Sequence, residues 1–251
     1  MDWQEISGNW VLIPQRPTGI VHFLGGAFVA TAPHVTYRWL LEQLASQGYA
    51  TIATPFVNTF DHAAIARDVL NRFETTLERL QARGTLGKQY LPIYGIGHSL
   101  GCKIHLLIGS LFSVERAGNI LISYNNYPAR RAIPFVEQLN LTNIEFTPSP
   151  AQTEELAAKR YLIRRNLLVK FIKDDIDQTL SLSDVLQTRF PDMVTLQILN
   201  GNHLTPLGQD VSWQAGNEFT PWDAIGQWMK QEVYRDLNQL KREIIRWLQP
   251  F

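Results

Sequence analysis

Tyr94-Gly95-Ile96-Gly97-His98-Ser99-Leu100-Gly101-Cys102 is the stretch on which the fold turns. A β-prone run, residues 90–96, leads in, and an apolar helical pattern, residues 99–110, leads out. Between them Gly97-His98-Ser99-Leu100-Gly101 matches G-x-S-x-G, the strained strand-to-helix turn that lifts a serine hydroxyl clear of a sheet. Such a turn needs small flanking residues, because neighbouring elements approach where a Cβ would stand. The helix beginning at Ser99 then directs backbone N–H groups and its positive dipole end toward a developing oxyanion. The bland alternative for Ser99 is a glycine-flanked helix N-cap.

Outward from this turn, short β-rich runs alternate with longer helical patterns. Residues 19–24 form a strand candidate ending in Gly25-Gly26, and residues 33–47 carry Trp39, Leu40, Leu41 and Leu44 on a helical period before Gly48. A strand at 49–55 follows, then a helix toward Ala82 that Asp61 can cap, with Ile65, Val69, Phe73, Leu77 and Leu80 on one face. Further strands are expected at 119–123, 166–172 and 193–199, with a helix at 178–190 and an amphipathic one at 222–248. Repeated strand–helix–strand units require right-handed crossovers, which predicts an α/β fold with a mostly parallel sheet and helices on both faces. Residues 10–14 offer an antiparallel edge strand. Residues 127–165 break the rhythm with Pro128, Pro134, Pro148 and Pro150 and no clear strand. They read as a cap insertion over the sheet's carboxyl edge, inside a single domain spanning 1–251.

Composition narrows the function. Twenty-three basic side chains balance twenty-three acidic ones, leaving no surplus of Lys and Arg for a sequence-independent grip on nucleic acid or for anionic lipid. No apolar run approaches a transmembrane segment, and the acidic, polar start shows no signal peptide. The single cysteine, Cys102, rules out an internal disulfide and a cysteine-rich zinc site. The expectation is a soluble cytoplasmic protein without metal or cofactor.

In parallel sheets, ligands gather outside the carboxyl ends of the strands, where Ser99 would lie. A serine nucleophile needs a base and the base an orienting acid, in the chain order Ser, Asp or Glu, His for this turn. Only His105 and His203 lie downstream. His105 sits on the helix that follows Ser99, among Ile104, Leu106 and Leu107, and cannot easily turn back to the helix start. His203 follows the strand at 193–199, in Asn200-Gly201-Asn202-His203-Leu204, and is the base. The acid comes from Lys173-Asp174-Asp175-Ile176-Asp177, after the strand at 166–172: Asp175 ranks first, Asp177 second and Asp174 third. Asp177 is also placed to cap the next helix. The other common position for an acid offers Asn125 and Asn126, which cannot stabilise an imidazolium as a carboxylate does. For the oxyanion hole, one donor is the Leu100 N–H, and the second comes from Gly25-Gly26-Ala27-Phe28, at Gly26 or Ala27. His62 reads as a surface residue at a helix start, and His98 lines the pocket or packs. Arg130-Arg131 and Arg164-Arg165 read as solvated faces, and Trp213, Trp222, Trp228 and Trp247 as core or as a docking face.

The turn, Asp175 and His203 resemble the α/β-hydrolase superfamily. More narrowly, five strings resemble an uncharacterised α/β-hydrolase-like family of photosynthetic bacteria and plastids, known as a domain of unknown function. They are Phe23-Leu24-Gly25-Gly26-Ala27-Phe28-Val29, Gly97-His98-Ser99-Leu100-Gly101-Cys102-Lys103, Glu145-Phe146-Thr147-Pro148-Ser149-Pro150, Asp174-Asp175-Ile176-Asp177-Gln178-Thr179 and Gly201-Asn202-His203-Leu204-Thr205-Pro206. Leu24 stands where many esterases carry the histidine of His-Gly-Gly. The superfamily resemblance implies a serine hydrolase acting on a small-molecule ester or thioester of a lipophilic acyl group, through Ser99, His203 and Asp175. The rival expectation is a catalytically silent binding or assembly protein on the same fold.

Overall fold

The computed structural model describes residues 1–87, 89–131, 145–207 and 234–249, and the backbone alone at 132 and 221–233. In chain order the elements are β1 (Gln4–Ile6), β2 (Asn9–Leu12), β3 (Gly19–Leu24), α1 (Pro33–Thr36), α2 (Arg38–Ser46), β4 (Tyr49–Ala53), α3 (His62–Ala82), β5 (Ile93–His98) and α4 (Leu100–Leu111). Then come β6 (Gly118–Ile122), α5 (Ala129–Ala132), α6 (Pro150–Lys159), β7 (Asn166–Phe171), α7 (Thr179–Arg189), β8 (Val194–Leu199), a 3-10 turn at Thr205–Leu207, and α8 (Pro221–Leu248).

The strands form one eight-stranded sheet in the order β1-β2-β4-β3-β5-β6-β7-β8. From β4 onward every pairing is parallel, while β1–β2 and β2–β4 are antiparallel. The expected edge strand is β2, extended by β1 as a hairpin. Parallel strands buried on both sides read as continuous apolar runs, and all residues of β3, β4 and β6 are buried. The order reverses between β3 and β5: the chain leaves β3 toward β4 and returns on the other side as β5. Loops diverge at such a switch point and open a crevice at the carboxyl edge. The Gly25-Gly26 loop and the Ser99 turn flank it.

On one face, Leu40, Leu41 and Leu44 of α2 and Leu237, Leu240 and Ile244 of α8 pack on Val21, Phe23, Ile96, Ile120 and Val169. On the other, α3 and α4 cover β3 through Leu24, Val69 and Ile104, while α4, α6 and α7 cover Leu121 and Leu168 through Leu106, Ala157 and Leu186. The apolar period of α3 was legible, and the Asp61 carboxylate caps it by accepting the Ala64 N–H at 2.9 Å.

Three expectations change. The helix expected at 33–47 is two, broken at Tyr37 (φ −112), whose fully buried side chain turns into the core toward Gly26 and His98. The strand expected at 90–96 is Ile93–His98, two residues longer at the end that carries His98 to the turn. The second half of the expected cap is α6, a face helix started by a Ser149–Gln152 capping box and packed beside α4 and α7. Within the expected cap, residues 133–144 lie outside the described residues, as does Trp213. Among the described residues no helix is long and apolar enough to cross a membrane.

Candidate active site

Ser99 sits between β5 and α4 with φ 55 and ψ −118, a left-handed conformation that a residue with a Cβ rarely adopts. Such strain costs of order 1–3 kcal/mol and persists only where surroundings over-determine it. Here they do. The Ser99 N–H donates to the Ile122 carbonyl at 2.9 Å, and the Ser99 carbonyl accepts from Cys102 N at 3.0 Å. A Cβ at Gly97 would lie 2.6 Å from Cys102 N, and one at Gly101 only 2.1 Å from the Leu24 carbonyl oxygen. The two glycines of the motif are thus explained by backbone approach, and the N-cap alternative fails: the Ser99 side chain caps nothing.

His203 reaches Ser99 from the loop after β8. Its Nε2 lies 3.0 Å from Ser99 Oγ, and its Nδ1 lies 2.8 Å from Asp174 Oδ2. A carboxylate accepts only, so Nδ1 carries the proton and the Nε2 lone pair faces the hydroxyl. The loop is fixed locally: Asn202 N donates to Thr205 Oγ1 and Leu204 N to Asn202 Oδ1, both at 2.9 Å, while Lys173 N donates to the Gly201 carbonyl at 3.0 Å. That last bond ties the His203 loop to the acid loop.

The carboxylate on His203 is Asp174, which the sequence ranked third; Asp175 and Asp177 are corrected. Asp174 is buried and also accepts the Ile176 N–H at 3.2 Å. Burial, the largest single influence, raises its pKa, but the interactions with His203 and the further hydrogen bonds it accepts together hold it below the ordinary carboxylate value. Asp175 is exposed to solvent and makes no hydrogen bond to His203 among the described residues. Asp177 accepts Thr179 N and Thr179 Oγ1, both at 2.8 Å, and pairs with Lys170 at 3.3 Å, so it serves the start of α7. The strand ends at Phe171, one residue earlier than expected, and Asp174 N bonds back to the Phe171 carbonyl at 3.3 Å. That turn swings Asp174 inward and leaves its neighbour outside.

The N–H groups expected as oxyanion donors differ in their partners. Leu100 opens α4, where a helix N–H has no intrahelical acceptor, and among the described residues its N–H has no partner. Gly26 N–H donates to the Tyr37 hydroxyl at 2.8 Å, which removes it from candidacy. Ala27 lines the same cavity, and its N–H has no partner among the described residues. Gly26 instead brings this loop close: a Cβ on it would stand 3.3 Å from the Ser99 Cβ.

Two features escaped the sequence. The Asn125 amide, considered only as an unfit acid, donates from Nδ2 to Ser99 Oγ at 3.1 Å, leaving the hydroxyl free to donate to His203. The second is a relay behind the imidazole. Gly26 N–H donates to Tyr37 Oη, Tyr37 O–H to His98 Nδ1 at 2.8 Å, and His98 Nε2–H to the His203 carbonyl at 2.9 Å. Burial holds His98 down at a pKa of about 3, so the ring stays neutral and keeps both roles. His98 therefore anchors the backbone of His203. His105, as expected, is packed away, buried with Nε2 on the Ile96 carbonyl at 3.2 Å.

These groups open onto a cavity of about 290 Å³, walled by Phe28, Val29, Phe146, Leu204 and Leu207 with Ser99 at its base. His62, expected on the surface, is buried in its wall, stacked on Phe146 at 4.3 Å, and Arg131, also lining it, is exposed. Arg130 is exposed, and Arg165 stacks on Trp247 at 3.8 Å. The side chains of Trp222 and Trp228 lie outside the described residues. No group of His, Cys, Asp or Glu among the described residues could hold a metal ion.

The model of the family described as protein of unknown function DUF1350 matches residues 2–250. The chain belongs to the DUF1350 family. No curated protein matches it. Among solved structures, FphF, a fluorophosphonate-binding serine hydrolase of Staphylococcus aureus, is similar with TM-score 0.56 and 14% identity, over 90% of this chain and 91% of that one. Carboxyl esterase 2 of the fungus Tuber melanosporum gives TM-score 0.56 and 17% identity, over 91% and 82%. The thioesterase domain of the curacin biosynthetic pathway gives TM-score 0.52 and 13% identity, over 82% and 94%. At such identities the likeness shows the fold. This DUF1350 chain has the α/β-hydrolase fold, whose neighbours are hydrolases and esterases.

Proposed function

We propose that this DUF1350 chain is a cytoplasmic serine hydrolase that cleaves a carboxylic ester or thioester of a lipophilic acyl group. Ser99 Oγ attacks the carbonyl carbon while His203 Nε2 takes its proton, and Asp174 holds the imidazolium that forms. Leu100 N–H and Ala27 N–H hold the tetrahedral oxyanion. His203 then gives the proton to the departing alcohol or thiol, leaving an acyl-Ser99 ester. Water, deprotonated by the same Nε2, releases the acid and returns Ser99. The apolar cavity wall favours a lipophilic acyl part.

The observation that carries this reading is the unbroken chain of hydrogen bonds from Asp174 through His203 to Ser99, at 2.8 and 3.0 Å. A carboxylate in contact with His203 supports this reading over a silent binding protein on the same fold. The test is a series of p-nitrophenyl esters of rising chain length with acyl-CoA thioesters alongside. Turnover that Ser99→Ala abolishes is the expected result, and absence of turnover across the series overturns the proposal.

A further inference from the structure

Lys103 lies one helical turn after Ser99 on α4, on the same face, and lines the cavity that Ser99 opens onto. Its side chain is buried, with 1% of the residue exposed. An ammonium has three N–H donors, and among the described residues this one makes a single hydrogen bond, to the Pro148 carbonyl at 3.2 Å, with the Phe146 ring 5.4 Å away. It forms no ion pair among the described residues. Glu145, the carboxylate whose charge it feels, gives its Oε1 to the N–H groups of Ala129 and Phe146 instead.

A buried cation with two donors unused is costly unless something completes it. The cavity does not. Of its described lining residues the charged ones are Lys103 and Arg131, and none is acidic. Asp174, the nearby negative group, is buried behind His203 and bonded to it. His62 shares this corner and presents a buried Nδ1 without a partner, its Nε2 being 3.2 Å from Asn58 Oδ1. With Asn58 Oδ1 accepting from Nε2–H, that Nδ1 is an unprotonated acceptor and gives an anion no second donor, which leaves the Lys103 ammonium as the donor of this corner.

We propose that the substrate carries a carboxylate as well as its scissile ester or thioester, and that this carboxylate docks on the Lys103 ammonium. The inference rests on the hydrolase reading and names its substrate class. Lys103 touches no reacting atom in it; it selects and orients, with Arg131 drawing the anion to the cavity. A cavity with apolar walls and one buried cation fits an acid with a hydrocarbon part better than a neutral lipid, which would leave the charge unmet.

The experiment compares matched esters with the intact protein. One arm sets monoethyl dicarboxylates, succinate to adipate, against neutral ethyl esters of equal length. The other sets acyl esters of a hydroxy acid against those of the parent alcohol. We expect kcat/KM to favour the carboxylate by about tenfold or more in one arm, the weight of one hydrogen bond to a charged partner. The arm identifies the side of the scissile bond that bears the anion. In Lys103→Met and Lys103→Gln, with thermal midpoints checked, the ratio falls to about one. A wild-type ratio near one in both arms overturns the inference whatever the variants do, and so does a ratio that survives both substitutions. If no ester is turned over and no fluorophosphonate reaches Ser99, the hydrolase reading itself has failed, which is a different result from turnover without charge preference.

Discussion

Asp174→Asn against Asp175→Asn separates neighbours that sequence alone could not. The Asp174 carboxylate accepts from His203 Nδ1 at 2.8 Å. An amide in its place can turn NH2 toward the ring, which then favours the tautomer with the proton on Nε2. That proton faces Ser99 Oγ, 3.0 Å away, so the hydroxyl loses its acceptor. The same acid-to-amide change in a serine triad lowers kcat about 10⁴-fold, and we expect a loss of about 10³–10⁴-fold here. In barrier terms that is about 4–5 kcal/mol. Asp175 is exposed and makes no hydrogen bond to His203 among the described residues, so Asp175→Asn stays within about twofold. Initial rates with the best p-nitrophenyl ester, with thermal midpoints as a folding control, read both. The reasoning is refuted if Asp175→Asn loses as much as Asp174→Asn, or if Asp174→Asn keeps more than about a tenth of the rate.

Other consequences are as direct. Gly101→Ala places a Cβ 2.1 Å from the Leu24 carbonyl oxygen, so we expect a loss of about 3 kcal/mol or more in urea denaturation, and an unchanged midpoint would contradict the packing. Tyr37→Phe strips Gly26 N–H of its acceptor and His98 of its donor; about 1–3 kcal/mol of stability and part of kcat should go together, and neither moving would remove the relay from the account. Acid should destabilise the fold before carboxylates titrate. Burial lowers His62, His98 and His105 to pKa values of about 3, whereas in the unfolded chain they take up protons near 6.5. The unfolded state therefore binds more protons between about 6.5 and 3, and stability falls as pH falls through that window, by about 6 kcal/mol from pH 7 to 5 for the three together. A thermal midpoint at pH 5 equal to that at pH 7 would show these rings are not held neutral.

Periodicity and the Ser99 motif made the parallel core legible, because a buried strand must be apolar throughout and an elbow needs its glycines. Ser99 and His203 followed from chain order and from their positions after strands. Asp174 did not. Three acids stood within four residues, and which one turns inward depends on where β7 ends and on the Asp174–Phe171 backbone bond, neither of which composition encodes. That the Gly26 N–H is already engaged was hidden for a related reason: a tyrosine eleven positions on, at a break in an otherwise regular helical pattern, accepts it. Asn125 and His98 act through contacts between distant segments, so no local pattern marks them. Within 127–165 the start of α6 was hard to place, because a proline at the first turn looks like a breaker when its capping box goes unread.

The central claim is that Ser99 is a nucleophile activated by His203. Mass spectrometry of the protein after treatment with a fluorophosphonate probe tests it, by weighing the adduct and mapping it to a peptide. The account predicts one adduct, on the peptide that contains Ser99, absent in Ser99→Ala and strongly reduced in His203→Ala. An unmodified Ser99 peptide with probes of several chain lengths, or labelling that persists in Ser99→Ala, would contradict it.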